Sequence, residues 1–417
     1  MAFCQRGSPD LCKIEAWQEA YQLFSLNIPP SSCTIYESLG LWGYYREQIE
    51  MGNCLLNKIN SEVDYLCLLE LATAHRDLGE FSQAFNFYQK ILYLLEPINN
   101  YNFSRICKIY SGLGSTNYYM GNLKLSIYYH EKQLCISKKI KSKIEMFNAM
   151  LNLGRCWAFL GVIKKANYYF DRVISQIDDI DKIFNPTIKS DLYNSIGVFY
   201  MVRGRFHDAI DYLQKSLSYS HTTNSRPLQA STLGSLGVAQ VKIGFVREGI
   251  ENLHQSLAVN NSIGNFYGEV YILNNIVATY QYFLKDHRTA FSYLLKALKI
   301  ADILGNSIIK SYFLTHLSYY YVCEKNYPLA LENAYQVLTI AREAQNKPSL
   351  ALGFATIAYT YWSMGKFIKA LFFIARSLII QPPWHGANGQ IIWQKFVELL
   401  KNKFRGRLKR VTGSVVA

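Results

Sequence analysis

The stretch GVFYMVRGRFHDAIDYLQKSL, residues 197–217, decides the fold. It opens with a small residue, Gly197, followed seven positions later by Gly204 and five positions after that by a second small residue, Ala209. This spacing predicts two helices joined by a tight turn, because Gly204 can take the left-handed conformation that ends a helix at no steric cost. The two small residues mark the point where we expect the helices to cross closely.

The same triplet of small, turn and small residues occurs eight times in register. Its turn residues recur every 40 to 43 positions and are Gly79, Gly121, Gly161, Gly204, Gly244, Lys285, Lys325 and Gly365. Each second helix carries apolar residues three and four positions apart, as in Ile210, Leu213 and Leu217. A single helix pair cannot bury such faces, so neighbouring pairs must stack. The sequence therefore predicts an all-α solenoid of about eight helix-turn-helix units.

This repeat resembles the tetratricopeptide repeat (TPR). Residues 197–217 follow that family's order of Gly/Ala, Tyr, Gly, Tyr/Phe, Ala and Tyr/Leu. The period of ~40 residues exceeds the usual 34, and LNLGRCWAFLG (151–161) and LGSLGVAQVKIG (233–244) are similar to Pins-type and kinesin-light-chain repeats and to bacterial TPR proteins. The resemblance implies antiparallel helix pairs in a right-handed superhelix, with the first helix of each pair lining the concave face.

We expect three parts along the chain. Residues 1–64 lack the triplet and predict an N-terminal helical cap or a degenerate repeat, with an amphipathic helix at 13–24 and a helix at 44–59. Residues 65–384 hold the eight TPR repeats. Residues 385–417 predict a C-terminal capping helix followed by a basic tail, which lacks the apolar residues needed to dock.

The net charge of +14 leaves an acidic partner, an anionic membrane or nucleic acid open as binding partners. Part of the surplus lies in the basic tail, and part lies in a lysine cluster that we interpret as a solvated helix end. That cluster consists of Lys138, Lys139, Lys141 and Lys143.

The nine cysteines are odd in number and include no CxxC pair, which favours free thiols in a reducing compartment. The sequence shows neither a signal peptide at its start nor a run of 18 apolar residues. We therefore expect a cytoplasmic protein.

Motifs that carry catalytic or metal chemistry are missing from the sequence. It contains no HExxH, no GxxxxGK[ST], and no His/Cys set with metal-ligand spacing. We therefore predict no catalytic residue, no cofactor and no metal, and we expect that the protein is not an enzyme.

The register of the repeat predicts which residues face the groove. These positions lie two or three before the first small residue and one, four and five after it. Asparagine amides can both donate to and accept from an extended peptide backbone, as in the grooves of the similar families, and aromatic rings anchor interfaces. The candidate peptide-binding residues are Asn152, Asn194, Asn275, Tyr118, Tyr119, Tyr282, His316, Tyr319, Tyr359 and Trp362. Helix capping and packing remain alternative roles for them.

We expect a non-catalytic scaffold or adaptor that binds a protein or peptide in the concave groove, and the positive charge allows that partner to be acidic. Lys108 and Arg155 do not complete the Lys, Asn and Arg set that clamps an EEVD-like tail. One alternative is a peptide-sensing regulatory protein. Another is an adaptor that contacts an anionic membrane peripherally, or nucleic acid, through the basic tail, with nucleic acid the less expected. The oligomeric state is not predicted.

Overall fold

The computed structural model describes residues 14–27, 34–95, 103–160, 162–176, 185–344 and 346–381. Within these ranges the chain forms nineteen α-helices and one π-helical turn. The described residues contain no β-strand, only one isolated bridge between Asn27 and Thr34. The prediction of an all-α fold is confirmed.

Three helices precede the repeats, and sixteen follow as eight consecutive pairs. The three are α1 (Trp17–Phe24), α2 (Ile35–Trp42) and α3 (Tyr45–Leu55). The pairs are α4 (Ser61–Asp77) and α5 (Phe81–Leu94), α6 (Phe103–Tyr119) and α7 (Leu123–Lys139), α8 (Lys143–Phe159) and α9 (Ile163–Ile174), α10 (Pro186–Val202) and α11 (Phe206–Thr222), α12 (Arg226–Lys242) and α13 (Val246–Ser262), α14 (Phe266–Ala278) and α15 (His287–Ile303), α16 (Ser307–Cys323) and α17 (Tyr327–Glu343), and α18 (Lys347–Ser363) and α19 (Phe367–Ile380). The π-helical turn, Thr279–Leu284, continues α14.

The turns within the pairs lie where the sequence predicts them. Seven of the eight predicted turn residues are described, and their φ angles lie between +59° and +97°; Gly161 lies outside the described residues. Lys285 and Lys325 adopt φ of +59° although they are not glycines. This left-handed conformation costs about 1–2 kcal/mol for each lysine, so packing of the flanking helices must stabilise it. Asparagines then start several first helices: Asn60 Oδ1, for example, accepts a hydrogen bond from the Val63 amide at 3.0 Å.

The small residues lie at the predicted helix crossings. Ala209 and Ala370 are fully buried, and a Cβ atom at Gly197 would lie 2.6 Å from Leu213 Cγ. Serines add hydrogen bonds that the sequence pattern did not predict. Ser216 Oγ donates to the Ser190 carbonyl at 2.7 Å, and Ser256 and Ser377 make the same bond to a carbonyl 26 residues earlier. Each of these bonds joins the second helix of a pair to the first.

The helices form two compact units. The described residues up to Ala158, together with Ile163–Ile272, make up unit 1, and those from Leu273 onward, with a short segment at 159–162, make up unit 2. The largest core cluster of unit 1 contains Phe170, Tyr193 and Phe199. Unit 2 has its own cluster around Leu338, Phe354 and Ile357. The division into an N-terminal cap, eight repeats and a tail remains a prediction, and residues 385–417 lie outside the described residues.

Unit 1 brings its early helices against its late ones. Ile263, which follows α13, packs with Tyr45, Ala74 and Leu78 in one buried cluster. Gly43 has φ of +81°, and a Cβ atom there would lie 2.4 Å from Ile263 Cγ2. Only glycine satisfies both the backbone conformation and this close approach.

A second layer of contacts continues this junction. Tyr267 lies over Gly79, where a Cβ atom would be 3.1 Å from Tyr267 Cβ. The Tyr267 ring also meets Phe81 and Tyr119, with centroids 5.2 and 5.5 Å apart. We call the whole junction the seam; it consists of Gly43, Tyr45, Ala74, Leu78, Gly79, Phe81, Tyr119, Ile263 and Tyr267. It joins residues 43–81 and Tyr119 to residues 263–267, which lie near the end of unit 1.

The described cysteines are free thiols with one exception. Cys67, Cys107 and Cys156 are buried thiols, and Cys135 and Cys323 are also free. Cys54 is disulfide-bonded, so the expectation of free thiols is wrong at that position.

None of the described helices combines the length and apolarity that crossing a bilayer requires.

Candidate functional site

The structure divides the predicted groove residues between the two units. Unit 1 holds Tyr118, Tyr119, Asn152 and Asn194, and unit 2 holds Asn275, Tyr282, His316, Tyr319, Tyr359 and Trp362. We therefore describe two separate surfaces, each on the first helices of its unit.

In unit 1, α6 and α8 form a small recess. Tyr118 and Tyr119 lie at the end of α6, and Asn152 and Arg155 lie one turn apart on α8. The recess has a volume of about 20 Å³ and is lined by Ser115, Tyr118, Tyr119, His130, Asn152, Arg155 and Cys156. It has room for about one water molecule. Three of the candidate residues, Tyr118, Tyr119 and Asn152, thus line one recess.

Arg155 supplies the positive charge of this recess. Its Cζ lies 5.4 Å from the centroid of the Tyr118 ring, so the guanidinium stacks on an aromatic floor. No described residue forms an ion pair with it. The donors of Arg155 therefore remain available to an acceptor that reaches the recess.

Asp191, on α10, is an acidic residue that interacts electrostatically with Arg155. We call the surface that the first helices α4, α6, α8 and α10 form around the recess the wall. Desolvation by the surrounding protein raises the pKa of the Asp191 carboxyl, and the charges of Arg155 and Arg76 oppose the rise. Its side chain is nevertheless exposed to solvent and, among the described residues, has no ion pair. The wall thus presents one cation, Arg155, and one acid, Asp191, which interact electrostatically but do not form an ion pair.

Arg76 and Glu70 extend the charged wall along α4. Arg76 is already neutralised, because its Nη2 lies 2.7 Å from Asp77 Oδ1. Burial raises the pKa of Glu70 to about 7, and Glu37 adds to the rise while Lys108 opposes it. Gln48 Nε2 donates to Glu70 Oε2 at 2.6 Å. Glu70 therefore titrates near neutral pH.

Replacing Glu70 with glutamine should stabilise the protein at pH 8 by about 1–2 kcal/mol and change little at pH 5. A folded-state pKa raised above the unfolded value contributes stability that is complete below about pH 4.5 and is lost as the pH rises through 7. The glutamine amide also supplies a donor to Gln48 Oε1, which is buried without a partner among the described residues. Urea unfolding of both proteins at the two pH values measures the difference. An equal difference at both pH values, or the same effect from Glu131→Gln on the exposed face of α7, would contradict this account.

Asn194 is placed differently from Asn152. It is 8% exposed, and its Nδ2 donates to Ser231 Oγ on the neighbouring first helix at 3.2 Å. Its Oδ1 is buried and has no partner in the described structure. Asn194 therefore joins two first helices, a packing role that competes with ligand contact.

In unit 2, four predicted residues form one aromatic cluster. The Tyr319 ring lies 5.0 Å from Tyr282 and 5.4 Å from Tyr359, measured between centroids. His316 lies 6.0 Å from Tyr282. Burial raises the pKa of Tyr282, Tyr319 and Tyr359, so their hydroxyls stay protonated and can donate hydrogen bonds.

The π-helical turn positions Tyr282 in this cluster. It ends at Lys285, whose φ is +59°. Gln281, fully buried in the turn, donates through Nε2 to the His316 carbonyl at 3.0 Å and pairs its Oε1 with His316 Nδ1 at 2.7 Å. One contact is to the His316 backbone and the other is to its imidazole ring, so Gln281 holds both parts of this residue. Single π-turns inside α-helices are frequent at functional sites.

The two remaining predicted residues lie outside the cluster contacts described above. Trp362 meets the Phe367 ring edge-on at 5.0 Å, at the joint between α18 and α19. The backbone carbonyl of Asn275 accepts a hydrogen bond from Thr279 at 2.7 Å. The structure therefore does not bring all ten predicted residues into one surface.

The charged residues Arg155, Arg76 and Asp191 are not among the candidates from sequence. Arg155 and Arg76 lie one and four positions after the small residues Gly154 and Ala72, so the groove register already contained their positions. Asp191 lies six positions before Gly197, outside that register. No group of three His, Cys, Asp or Glu side chains in the described part of the chain could hold a metal ion.

No protein-family model matches the chain. Its fold is similar to that of a Rap protein solved in complex with Competence and Sporulation Factor, with a TM-score of 0.60 and 13% identity over 84% of this chain and 96% of that one. It is also similar to the apo form of the quorum sensor NprR from B. thuringiensis, with a TM-score of 0.54 and 14% identity over 83% and 99% of the two chains. NprR in complex with its cognate peptide NprX gives a TM-score of 0.51 at 12% identity, over 83% and 88%. The chain has a helical repeat fold of TPR type, and the resemblance predicted from sequence is confirmed at the level of the fold.

Two other proteins are similar to this chain in sequence over part of its length. The 43 kDa receptor-associated protein of the synapse from Tetronarce californica is 23% identical over 248 residues, which are 58% of this chain and 58% of that protein. The clustered mitochondria protein homolog of Danio rerio is 27% identical over 157 residues, 36% of this chain and 11% of that protein. The chain therefore matches little more than half of the first protein and a small part of the second.

Proposed function

We propose that this protein is a non-catalytic scaffold or adaptor that binds a protein or peptide along its first helices. The observation that carries the proposal is the recess of unit 1, where Arg155 has no ion-pair partner among the described residues and lies beside Asn152 and Tyr118. Because the Arg155 guanidinium stacks on a ring and makes no ion pair, its N–H donors can form charge-assisted hydrogen bonds to a carboxylate of the ligand.

The chemistry of the recess favours a peptide over a small molecule. A volume of about 20 Å³ admits a carboxylate oxygen or a water but no ligand of ordinary size. Asn152 can pair with a peptide backbone as donor and acceptor, and Arg155 can bind an acidic side chain or a chain terminus. We infer an extended ligand that lies over the wall and inserts one acidic group.

A peptide-sensing regulator is the second candidate. Two of the proteins that share this fold were solved with a factor or peptide bound, and one is described as a quorum sensor. The fold likeness alone supports this candidate. An adaptor that uses the basic tail remains a third proposal, and that segment lies outside the described residues.

We also propose a cytoplasmic location. The buried thiols of Cys67, Cys107 and Cys156 support a reducing compartment. The disulfide at Cys54 is an observation that does not support a reducing compartment.

Replacing Arg155 with glutamine and Asn152 with alanine should weaken peptide binding by about 30-fold or more, because a charged hydrogen bond and a neutral one together contribute at least about 2 kcal/mol. Short random peptides displayed on phage are selected on the intact protein, and the enriched peptides are measured by fluorescence anisotropy. The variant should melt at nearly the wild-type temperature, because neither side chain belongs to a buried cluster.

Arg247→Gln is the matched control, since Arg247 is an exposed arginine of unit 1 at the start of α13. It should leave peptide affinity unchanged. If selection enriches no peptide, or if the double variant binds the enriched peptides as tightly as the wild type does, the recess is not the binding surface.

A further inference from the structure

The outer faces of α7 and α9 carry the same pair of tyrosines. Tyr128 and Tyr129 in α7, and Tyr168 and Tyr169 in α9, lie two and three positions after the small residue of their helix. Within each pair the rings meet edge-on, with centroids 5.3 and 5.2 Å apart. Tyr128 is 50% exposed and Tyr168 is 56% exposed. Two neighbouring repeats thus present one tyrosine ring each to solvent.

Each exposed ring has a cation four residues later. Lys132 Nζ lies 5.5 Å from the centroid of Tyr128. Arg172 Cζ lies 5.5 Å from the centroid of Tyr168, and its Nη1 donates to the Tyr168 hydroxyl at 2.9 Å. Such contacts hold the cation at the surface beside the ring while leaving its charge exposed.

The two faces lie side by side in unit 1. Leu134 from α7 and Tyr169 from α9 pack against one core cluster built on Ile127, Leu153 and Cys156. Glu131 of α7 is close enough to Tyr169 to contribute to the rise of its pKa, for which burial is the main cause. We call the joint surface of α7 and α9 the Tyr/Lys face; it includes Lys124, Leu125, Tyr128, Lys132, Lys164, Lys165, Tyr168 and Arg172.

The Tyr/Lys face lies in the most basic part of the described chain. Residues 123–175 contain ten lysines and arginines against three acids, which is half of the net charge of +14. One of the three acids, Asp171, is offset by Arg203, whose Nη1 lies 3.6 Å from Asp171 Oδ1. The lysine cluster at 138–143 extends the charge at the end of α7.

We propose that the Tyr/Lys face binds the surface of an anionic lipid bilayer. Lysines and arginines near an acidic bilayer each gain about 1 kcal/mol, and tyrosine rings favour the boundary between headgroups and acyl chains. Leu125, 47% exposed, adds an apolar contact beside the rings. This surface is distinct from the C-terminal tail.

A bilayer fits this face better than single-stranded nucleic acid does. Proteins that bind single strands combine stacking rings with a basic groove that tracks the backbone. Here the rings lie on the outward sides of two second helices, and Lys132 and Arg172 already cover part of the exposed rings. A broad surface of dispersed charge matches a broad anionic surface.

The test is co-sedimentation of the full chain with vesicles of phosphatidylcholine alone or mixed with phosphatidylglycerol. The variant combines Lys124→Gln, Lys132→Gln, Lys164→Gln and Lys165→Gln. We expect the wild type to sediment only with the anionic vesicles and to be released by about 0.5 M salt. The variant should bind at least about tenfold more weakly. Circular dichroism checks that it folds.

The matched control removes four exposed lysines of unit 2: Lys296, Lys299, Lys366 and Lys369, each changed to glutamine. It has the same net charge as the test variant and the same tail, and it should retain at least half of the binding. Equal binding by the two variants, or no binding by the wild type, overturns the proposal. Binding of a labelled single-stranded oligonucleotide that only the test variant loses, without vesicle binding, would assign the face to nucleic acid instead. None of these outcomes depends on the peptide recess, which lies on the first helices.

Discussion

Replacing Gly197 with leucine should lower the free energy of unfolding by roughly 3 kcal/mol or more. A Cβ atom at this position would lie 2.6 Å from Leu213 Cγ, 2.8 Å from Leu213 Cδ2 and 3.3 Å from the Ala209 carbonyl. Leu213 is fully buried and cannot move aside. Ala370→Arg should cost at least as much, because the Ala370 position is fully buried and the new charge would lose its hydration there.

A substitution at a turn provides the control for the Gly197 variant. Gly121 has φ of +81°, and nothing lies within 4 Å of its Cβ position. Asparagine tolerates this conformation, so Gly121→Asn should cost less than about 1 kcal/mol. Thermal and urea unfolding followed by circular dichroism compare the three variants. Wild-type melting of both Gly197→Leu and Ala370→Arg would show that the repeat register is wrong.

Replacing Ile263 with aspartate should destabilise unit 1 by about 3 kcal/mol and open the seam. Ile263 is 6% exposed and packs against Tyr45, Ala74 and Leu78 in a buried apolar cluster. A carboxylate at this position would lose its hydration and gain no hydrogen bond from the carbon atoms around it. The seam contacts join helices at the two ends of unit 1, so their loss should enlarge the molecule. Urea unfolding measures the first effect, and small-angle scattering measures the second.

Ile303→Asp is the comparison for this change. Ile303 also lies at the end of a second helix, α15, but it is 69% exposed. The same substitution there should change neither the radius of gyration nor the stability by more than about 0.5 kcal/mol. If the two aspartate variants behave alike, the seam is not a closed contact in solution.

Local features of the fold could be predicted because each repeat restates them. The triplet alone predicts that Lys285 and Lys325 are turn residues, and both have the left-handed conformation. Tyr118 and Asn152, which occupy predicted groove positions of the same register, line one recess. A periodic sequence signal therefore predicts the turn within each repeat and the contacts between adjacent repeats.

Features that depend on distant or irregular contacts could not be predicted. Nothing in the triplet relates Gly43 to Ile263, so the seam leaves no trace in the sequence pattern. The π-helical turn at Thr279–Leu284 adds one residue to a turn of the helix, yet the spacing of Ala278, Lys285 and Ala290 is the same as in other repeats. Asp191 reaches the wall from a position outside the register. The candidate site is therefore only partly predictable from repeats.

The seam also changes how unit 1 should fold. A solenoid with contacts only between neighbouring repeats can fray from either end, and its folding can begin anywhere along the array. Here Gly43 meets Ile263 and Gly79 meets Tyr267, residues roughly 190 to 220 positions apart. Such contacts impose a loop-closure entropy before they give stabilisation, which slows folding. The N-terminal helices should then exchange their amide hydrogens as slowly as the central repeats do, and unit 1 should unfold in a single cooperative step.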